Sequence, residues 1–187
     1  MVNVDLQTVP SIHTEGYSTL ISDSGITRYR YEAEVWDTFS INEEEPYWYF
    51  PEGIRVEQFD SLFQVEASLV ADTAYHYEKN DLWHAIGNVV AQNADGRTFE
   101  TSELFWDNKI PPDSLGVFYT NQLVIITEPD GEIIWGRKGF IANRSLTFYR
   151  IYSDKAEFLV EDKEDQEETA ADAINLISIQ PDSIQDP

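Results

Sequence analysis

Apolar and polar residues alternate with a period of two along much of the chain, which is the pattern of β-strands with one buried face. The clearest run places apolar side chains at every second position: Phe63, Val65, Ala67, Leu69 and Ala71. Glycine, proline or β-branched residues interrupt every window that could otherwise form a helix in the body of the chain. The pattern therefore predicts an all-β body.

Turn sequences that contain glycine separate the predicted strands, because glycine adopts a positive φ at the lowest cost. These turns lie at residues 23–25, 51–53, 93–96 and 129–131. The Asp-Gly pairs at 95–96 and 130–131 predict β-hairpins.

A weak internal repeat runs through the predicted strands. Similar apolar segments begin at Gly53, Gly87 and Asn121, which are spaced 34 residues apart, and each follows a segment with an aromatic residue. Each unit would contain two strands and a turn, and stacked units would share one continuous core, as in β-solenoids and open jelly rolls. Chance similarity within a β-rich chain is the alternative.

Composition divides the chain into three regions. The 187 residues are enough for one domain with one core. We expect a partly ordered lead-in over residues 1–15, the β-sheet body over 16–158, and an acidic, mostly disordered tail over 159–187. A short helix over 170–179 is the one helical segment that the apolar pattern favours.

The charge balance argues against nucleic acid as a partner. Thirty-five acidic residues against 12 basic residues give a formal net charge of -23, which would repel a phosphate backbone. Solubility and an acidic tail explain this charge, and recruitment of a basic partner is the alternative.

The absence of cysteine and of long apolar runs excludes several kinds of site and of membrane-spanning segment. The chain has no cysteine, so a disulfide framework and a cysteine-type zinc site are excluded. As given, the chain has no apolar run of about 18 residues and no signal peptide, since Asp5, Pro10 and His13 interrupt its start. Whether an anchor lies upstream of Met1 stays open.

The sequence offers few groups that could form a catalytic or metal site. His13, His76 and His84 lack metal-type spacing. His76 and His84 could meet across a turn, although the polar face of a sheet explains both. Oxygen ligands at 130–132 and near Asp60 could bind calcium, although ordinary turns are the favoured explanation. We therefore expect no cofactor and no metal, and a binding domain rather than an enzyme.

The tryptophans support a second class of function. Exposed rings of Trp36, Trp48, Trp83, Trp106 or Trp135 could stack on sugars, which would make the chain a glycan-binding β-sandwich of the cell envelope. Their positions within apolar segments favour core packing instead. A metal-dependent hydrolase is the third class, and it requires a carboxylate cluster with one perturbed member.

Several stretches, in unbroken order, resemble the LptC family of membrane-anchored envelope proteins, which carry lipopolysaccharide toward the outer membrane. The stretches are residues 23–30, 47–60, 71–77, 82–89, 99–107, 119–121 and 136–140. The resemblance covers about residues 16–151.

The resemblance implies a fold, a compartment and partners. The fold would be a twisted, open, OstA-like β-jelly roll of antiparallel strands, in the periplasm and held at the inner membrane by an N-terminal segment upstream of this chain. The implied partners are lipopolysaccharide, inner-membrane transporter subunits, and a β-rich periplasmic bridge protein that joins through edge strands. We expect the early edge at residues 26–31 to face the transporter and the late edge at 146–151 to face the bridge protein. A late strand covered by the tail is the alternative.

The implied lipid-binding groove would be lined by apolar residues at alternating strand positions. The candidates are Phe50, Ile54, Val56, Phe63, Val65, Leu69, Ile86, Val89, Phe118, Val124, Ile126 and Phe140. Each of them could equally be an ordinary core residue. The basic residues that could lie near anionic head groups are Arg28, Arg30, Arg55 and Lys138, with surface salt bridges as the alternative.

Overall fold

The computed structural model describes residues 9–40, 44–152 and 157–161, and these residues form antiparallel β-structure without a helix. The strands are β1 (Ile12–Asp23), β2 (Ile26–Phe39), β3 (Tyr47–Phe50), β4 (Ile54–Phe59), β5 (Val65–Ala71), β6 (Thr73–Tyr77), β7 (Leu82–Asn93), β8 (Thr98–Asp107), β9 (Phe118–Thr120), β10 (Val124–Thr127), β11 (Ile133–Gly136), β12 (Phe140–Ala142), β13 (Phe148–Tyr152) and β14 (Glu157–Glu161). The all-β prediction is confirmed.

The strands form one antiparallel sheet in which several short strands are halves of longer ones. β3 and β4 pair with the two halves of β2, and β5 and β6 pair with the two halves of β7. β9 and β10 likewise pair with the two halves of β8. The chain is therefore a meander of long strands, many of which are interrupted once.

The interruptions fall side by side and fold the sheet along one line. They lie at residues 51–53, 72, 87–88, 121–123 and 137–139. The first arm contains β4, β5, β10 and β11, and the second arm contains β3, β6, β9, β12, β13 and β14, while β1, β2, β7 and β8 contribute to both. The result is a β-jelly-roll-like fold.

The predicted 34-residue spacing matches this fold line. Gly53, Gly87 and Asn121 lie at the interruption of every second long strand. At Gly87 the backbone has a φ of +78°, and an added Cβ would lie 2.7 Å from Oδ2 of Asp72. The Asp72 amide donates to the Gly87 carbonyl at 3.0 Å, and the Asn88 side-chain amide donates to Asp72 Oδ2 at 2.8 Å. Close approach of two strands therefore requires glycine at this point.

The hydrophobic core lies between the two arms. Tyr31 of the first arm stacks on Trp83 of the second with ring centroids 5.1 Å apart, and Phe99 stacks in the same way on Phe140 at 5.2 Å. Tyr149 packs edge-on against Phe99. Because these pairs are not neighbours in the hydrogen-bonded ladder, they show that the inner faces of the arms pack on each other.

The arms meet again along a seam opposite the fold line. There Arg97 Nε donates to both carboxylate oxygens of Glu128, at 2.9 and 2.8 Å, and the Tyr149 hydroxyl donates to the same carboxylate at 2.8 Å. Arg97 is only 6% exposed. This buried cluster joins the first arm to β13 of the second.

Phe63 does not belong to the alternating strand that the sequence predicts. β5 begins at Val65, and Phe63 lies in the preceding turn with a φ of +62° and its ring stacked on Phe59. The Asp60 carboxylate accepts the amides of Leu62 and Gln64, both at 2.8 Å, and this turn delays the start of the strand.

Both predicted edges are wrong, because another strand covers each of them. β1 pairs with β2 along its whole length and β4 pairs with residues 29–32, so residues 29–31 are interior to the sheet and residues 26–28 are covered by β1. β14 pairs with β13 and β12 pairs with residues 149–151, so these three are interior as well, as the alternative of a covered late strand predicts. Within the described ranges the outer strands are β1, β11 and β14. The sheet begins at Ile12, ahead of the predicted boundary at 16, and the predicted helix at 170–179 lies outside the described residues.

Candidate functional site

A narrow apolar slit separates the arms near the middle of the core. Val56, Ala67 and Leu69 of the first arm face Trp106 and Phe118 of the second across a space of about 10 Å³. The indole Nε1 of Trp106 is buried without a hydrogen-bond partner. The slit is therefore narrow, and its lining is mostly apolar.

The slit adjoins a larger cavity that opens at the surface, which we call the mouth. The mouth has a volume of about 330 Å³ and lies between the far end of the first arm and two loops of the second. Tyr29, Arg28 and Gln58 line it on one side and Arg144 lines it on the other. Gln58 borders both spaces, so the mouth leads toward the slit.

Two guanidinium groups and three carboxylates line the mouth. Burial raises the pKa of the Tyr29 hydroxyl, and the positive charges of Arg144 and Arg28 act in the opposite direction. The Arg144 amide donates to the Pro112 carbonyl at 3.0 Å, which ties together the two loops that form the far wall. The mouth is therefore polar and carries charges of both signs, whereas the adjoining slit is mostly apolar.

Three of the predicted groove residues line the slit, namely Val56, Leu69 and Phe118. Six others are buried in the core without lining it: Phe50, Ile54, Val89, Val124, Ile126 and Phe140. Each is at most 5% exposed, which is the ordinary-core alternative for these positions.

The remaining three predicted groove residues do not face the core. Phe63 and Val65 are 51% and 45% exposed. Ile86 is half-buried and shares its strand face with His84, whereas Trp83 and Ala85 point inward. Ile86 and Val89 are three positions apart, so a period of two cannot place both on one face, and Val89 is the buried one.

The basic residues proposed for head groups separate into two kinds. Arg30 and Arg55 both pair with Glu57, at 2.9 and 3.0 Å, as the salt-bridge alternative predicts. Lys138 is exposed in the turn between β11 and β12. Arg28 alone among the four lines the mouth. The sequence analysis did not single out Tyr29, Gln58 or Arg144 for this site, because no local pattern marks them.

The tryptophans lie mostly in or against the core. Trp83 and Trp106 are buried, Trp36 and Trp48 pack on the core, and Trp135 is 48% exposed. A different aromatic row, which the sequence did not reveal, crosses the outer face of the second arm.

That outer row consists of Tyr49, Tyr75, His84, Phe105 and Tyr119, which are in register on five neighbouring strands. Three of its four ring pairs are stacked, with centroids 4.3 to 5.2 Å apart. Stacked rings turn their faces toward each other and their edges toward solvent. This row supports the sheet through cross-strand pairs, and it does not present the ring faces that sugar stacking requires.

The histidines and the oxygen-rich turns have structural partners. His76 points inward and pairs with Asp81, whereas His84 points outward and pairs with Glu103, so the two rings do not meet. Asp130 accepts the Glu132 amide within its turn. No group of three metal-ligating side chains converges in the part of the chain that the structure describes.

Two further observations concern membranes and relatives. Within the described ranges, no helix has the length and apolar character needed to cross a bilayer. No family model matches the chain, and no curated protein matches it either.

Proposed function

We propose that the protein is a lipopolysaccharide-binding component of the lipopolysaccharide export machinery. It would receive lipid from the inner-membrane transporter in the periplasm and pass it to a β-rich bridge protein. The single observation that supports this proposal best is the apolar slit between the arms together with the mouth that adjoins it. The ordered resemblance of residues 16–151 to the LptC family supports the same function.

An apolar seam between two sheet faces suits a lipid carrier. Acyl chains bind by burial of apolar surface, and transfer by differences in affinity requires no nucleophile or general base. Val56, Leu69 and Phe118 would contact the chains. A space of about 10 Å³ is far smaller than an acyl chain, so binding requires the arms to separate, beginning at the mouth, where a cavity already lies between them.

Edge strands supply the surface for the protein partners. β1 and β14 are the outer strands at the two ends of the meander, so each presents one row of backbone donors and acceptors. Strand addition at such edges would join the protein to the transporter on one side and to the bridge protein on the other. β1 and β14 replace residues 26–31 and 146–151 in this role.

Site-specific photo-crosslinking tests the proposal. A benzoylphenylalanine replaces either Phe118, which lines the slit, or its neighbour Tyr119, which lies on the outer face. A second matched pair is Val56 and Arg55, which are adjacent on β4 with opposite orientations. We expect lipopolysaccharide adducts from Phe118 and Val56, with little from Tyr119 and Arg55, because only the first two positions face the interior.

The matched pairs also define the contradicting result. Equal labelling of inner and outer positions would mean that lipid contacts the surface generally and not the space between the arms. No labelling at any of the four positions would contradict lipid carriage itself.

A further inference from the structure

Arg28 and Arg144 are charged side chains whose placement the fold does not explain. The chain has 35 acidic residues, and Arg30, Arg55 and Arg97 each pair with a glutamate. Neither Arg28 nor Arg144 has an ion pair or a side-chain hydrogen bond to any other described residue. Both line the mouth.

Arg144 is the less readily explained of the two, because part of its guanidinium is removed from water. Its Nε is buried and has no hydrogen-bond partner. A buried donor without an acceptor is costly, and native proteins seldom retain one unless a ligand or water satisfies it. A planar guanidinium fork suits a phosphate or carboxylate, which it can bind through two parallel hydrogen bonds.

The acidic residues of the mouth restrict what the anion can be. Asp23, Glu66 and Asp113 also line this cavity. Glu66 accepts the Gln58 side-chain amide at 2.7 Å, and Asp23 accepts the Ser24 hydroxyl at 3.1 Å, so these two carboxylates have donors of their own. Their charge would still oppose a small free anion. The ligand must therefore be held by additional contacts beyond the arginines.

Once the arms separate, the adjoining slit can supply those contacts. Gln58 borders both the mouth and the slit, whose other walls include Leu69 and Phe118. A molecule with an anionic group at the mouth and an apolar portion past Gln58 would use both spaces. That description fits an amphiphile and not a free ion.

We propose that Arg28 and Arg144 form an anion subsite that binds a head-group phosphate of the lipid, with the acyl chains directed past Gln58 into the slit. This inference rests on the proposed function, since it takes the lipid as cargo. It adds the orientation of the bound lipid and the two residues that set it.

The test compares lipid A that carries its phosphates with the same lipid after dephosphorylation. The full chain carries the photo-reactive residue at Phe118, and the crosslinking yield is titrated against lipid concentration. For the phosphorylated lipid, we expect R28Q and R144Q each to raise the apparent Kd about tenfold, the lower range for a lost charge-assisted hydrogen bond. For the dephosphorylated lipid, we expect the wild type and both variants to have the same Kd. R137Q, at an exposed turn position, is the control and should leave both Kd values unchanged.

The outcomes separate this inference from the proposed function. If R28Q and R144Q raise the apparent Kd equally for both lipids, or change it for neither, the arginines do not bind phosphate. The inference is then overturned, while lipid carriage stands. If the wild type binds neither lipid, the proposed function fails and the inference fails with it. R28Q lies on a regular strand, so it provides the test even if R144Q impairs folding.

Discussion

Gly139 is the most tightly confined of the nine glycines. It lies at the fold line between β11 and β12 with a φ of +95°, and an added Cβ would lie 1.9 Å from the Thr120 carbonyl oxygen. The Gly139 carbonyl also accepts the Tyr152 amide at 2.9 Å, so the backbone is fixed on both sides. Because Gly139 has no side chain, the backbone at Thr120 can lie close to it at the fold line.

We predict that G139A destabilises the protein by more than about 4 kcal/mol, because a backbone oxygen cannot move aside as a side chain can. The matched control is G131A, where the φ is +90° but nothing lies within 4 Å. G131A should cost only about 1–2 kcal/mol, the penalty for a left-handed alanine. Urea unfolding measures both, and similar values would show that the contact at Gly139 is not confining.

Among single elements, β1 has one neighbouring strand in the part of the chain that the structure describes. It pairs with β2 over its full length, and most of its side chains are exposed. Near its start, His13 Nδ1 donates to Asp37 Oδ1 at 2.6 Å, directly across the two strands. Hydrogen bonds to Asp37 and then to Glu15 raise the pKa of His13 above 6.5.

This raised pKa makes the start of β1 sensitive to pH. Because folding favours protonated His13, the stabilisation is fully present below pH 6.5 and is lost as the pH rises through the higher folded pKa. In an NMR titration of the imidazole, D37N should lower the pKa of His13 toward its usual value. E15Q should have a smaller effect, since Glu15 lies 3.6 Å away. An unchanged pKa in D37N would contradict the assignment.

At the scale of the whole molecule, the seam between the arms is closed at one end and open at the other. The cluster of Arg97, Glu128 and Tyr149 seals the closed end, and the Arg97 guanidinium also lies 5.2 Å from the Tyr149 ring centroid. The mouth occupies the open end. Separation of the arms should therefore start at the mouth, while the buried cluster holds the arms together at the other end of the seam.

We predict that E128Q lowers the free energy of unfolding by about 3 kcal/mol, because it leaves the Arg97 charge buried without a counter-charge. Arg97 and Glu128 side chains are only 8% and 15% exposed, so solvent screens the pair little. The control is E132Q, an exposed residue of the same turn, which should change stability by less than about 0.5 kcal/mol. Equal effects in urea unfolding would mean that the cluster does not hold the arms together.

Local sequence patterns are enough to predict the β-class of the chain, its turns and most of its inward-facing residues. A period of two depends only on the local geometry of a strand, so Val56, Leu69 and Phe118 could be assigned to the interior from their neighbours. The 34-residue spacing of Gly53, Gly87 and Asn121 likewise marks the positions of the fold line, because the long strands have nearly the same length. Asp60 and Ile86 show the limit of such patterns. The Asp60 carboxylate holds a turn that interrupts the alternation before β5. Ile86 lies on the opposite face of β7 from the buried Val89.

Which strands are edges and which residues surround the mouth depend on contacts between distant parts of the chain. Strand pairing beyond a hairpin depends on contacts between distant segments, so neither the covering of β13 by β14 nor the register of the outer aromatic row follows from local pattern. Arg28 and Arg144 come from opposite arms, and they share a cavity only because the sheet folds back on itself. Alternation places a side chain on a face, whereas the approach of two faces is fixed by the packing of the whole core.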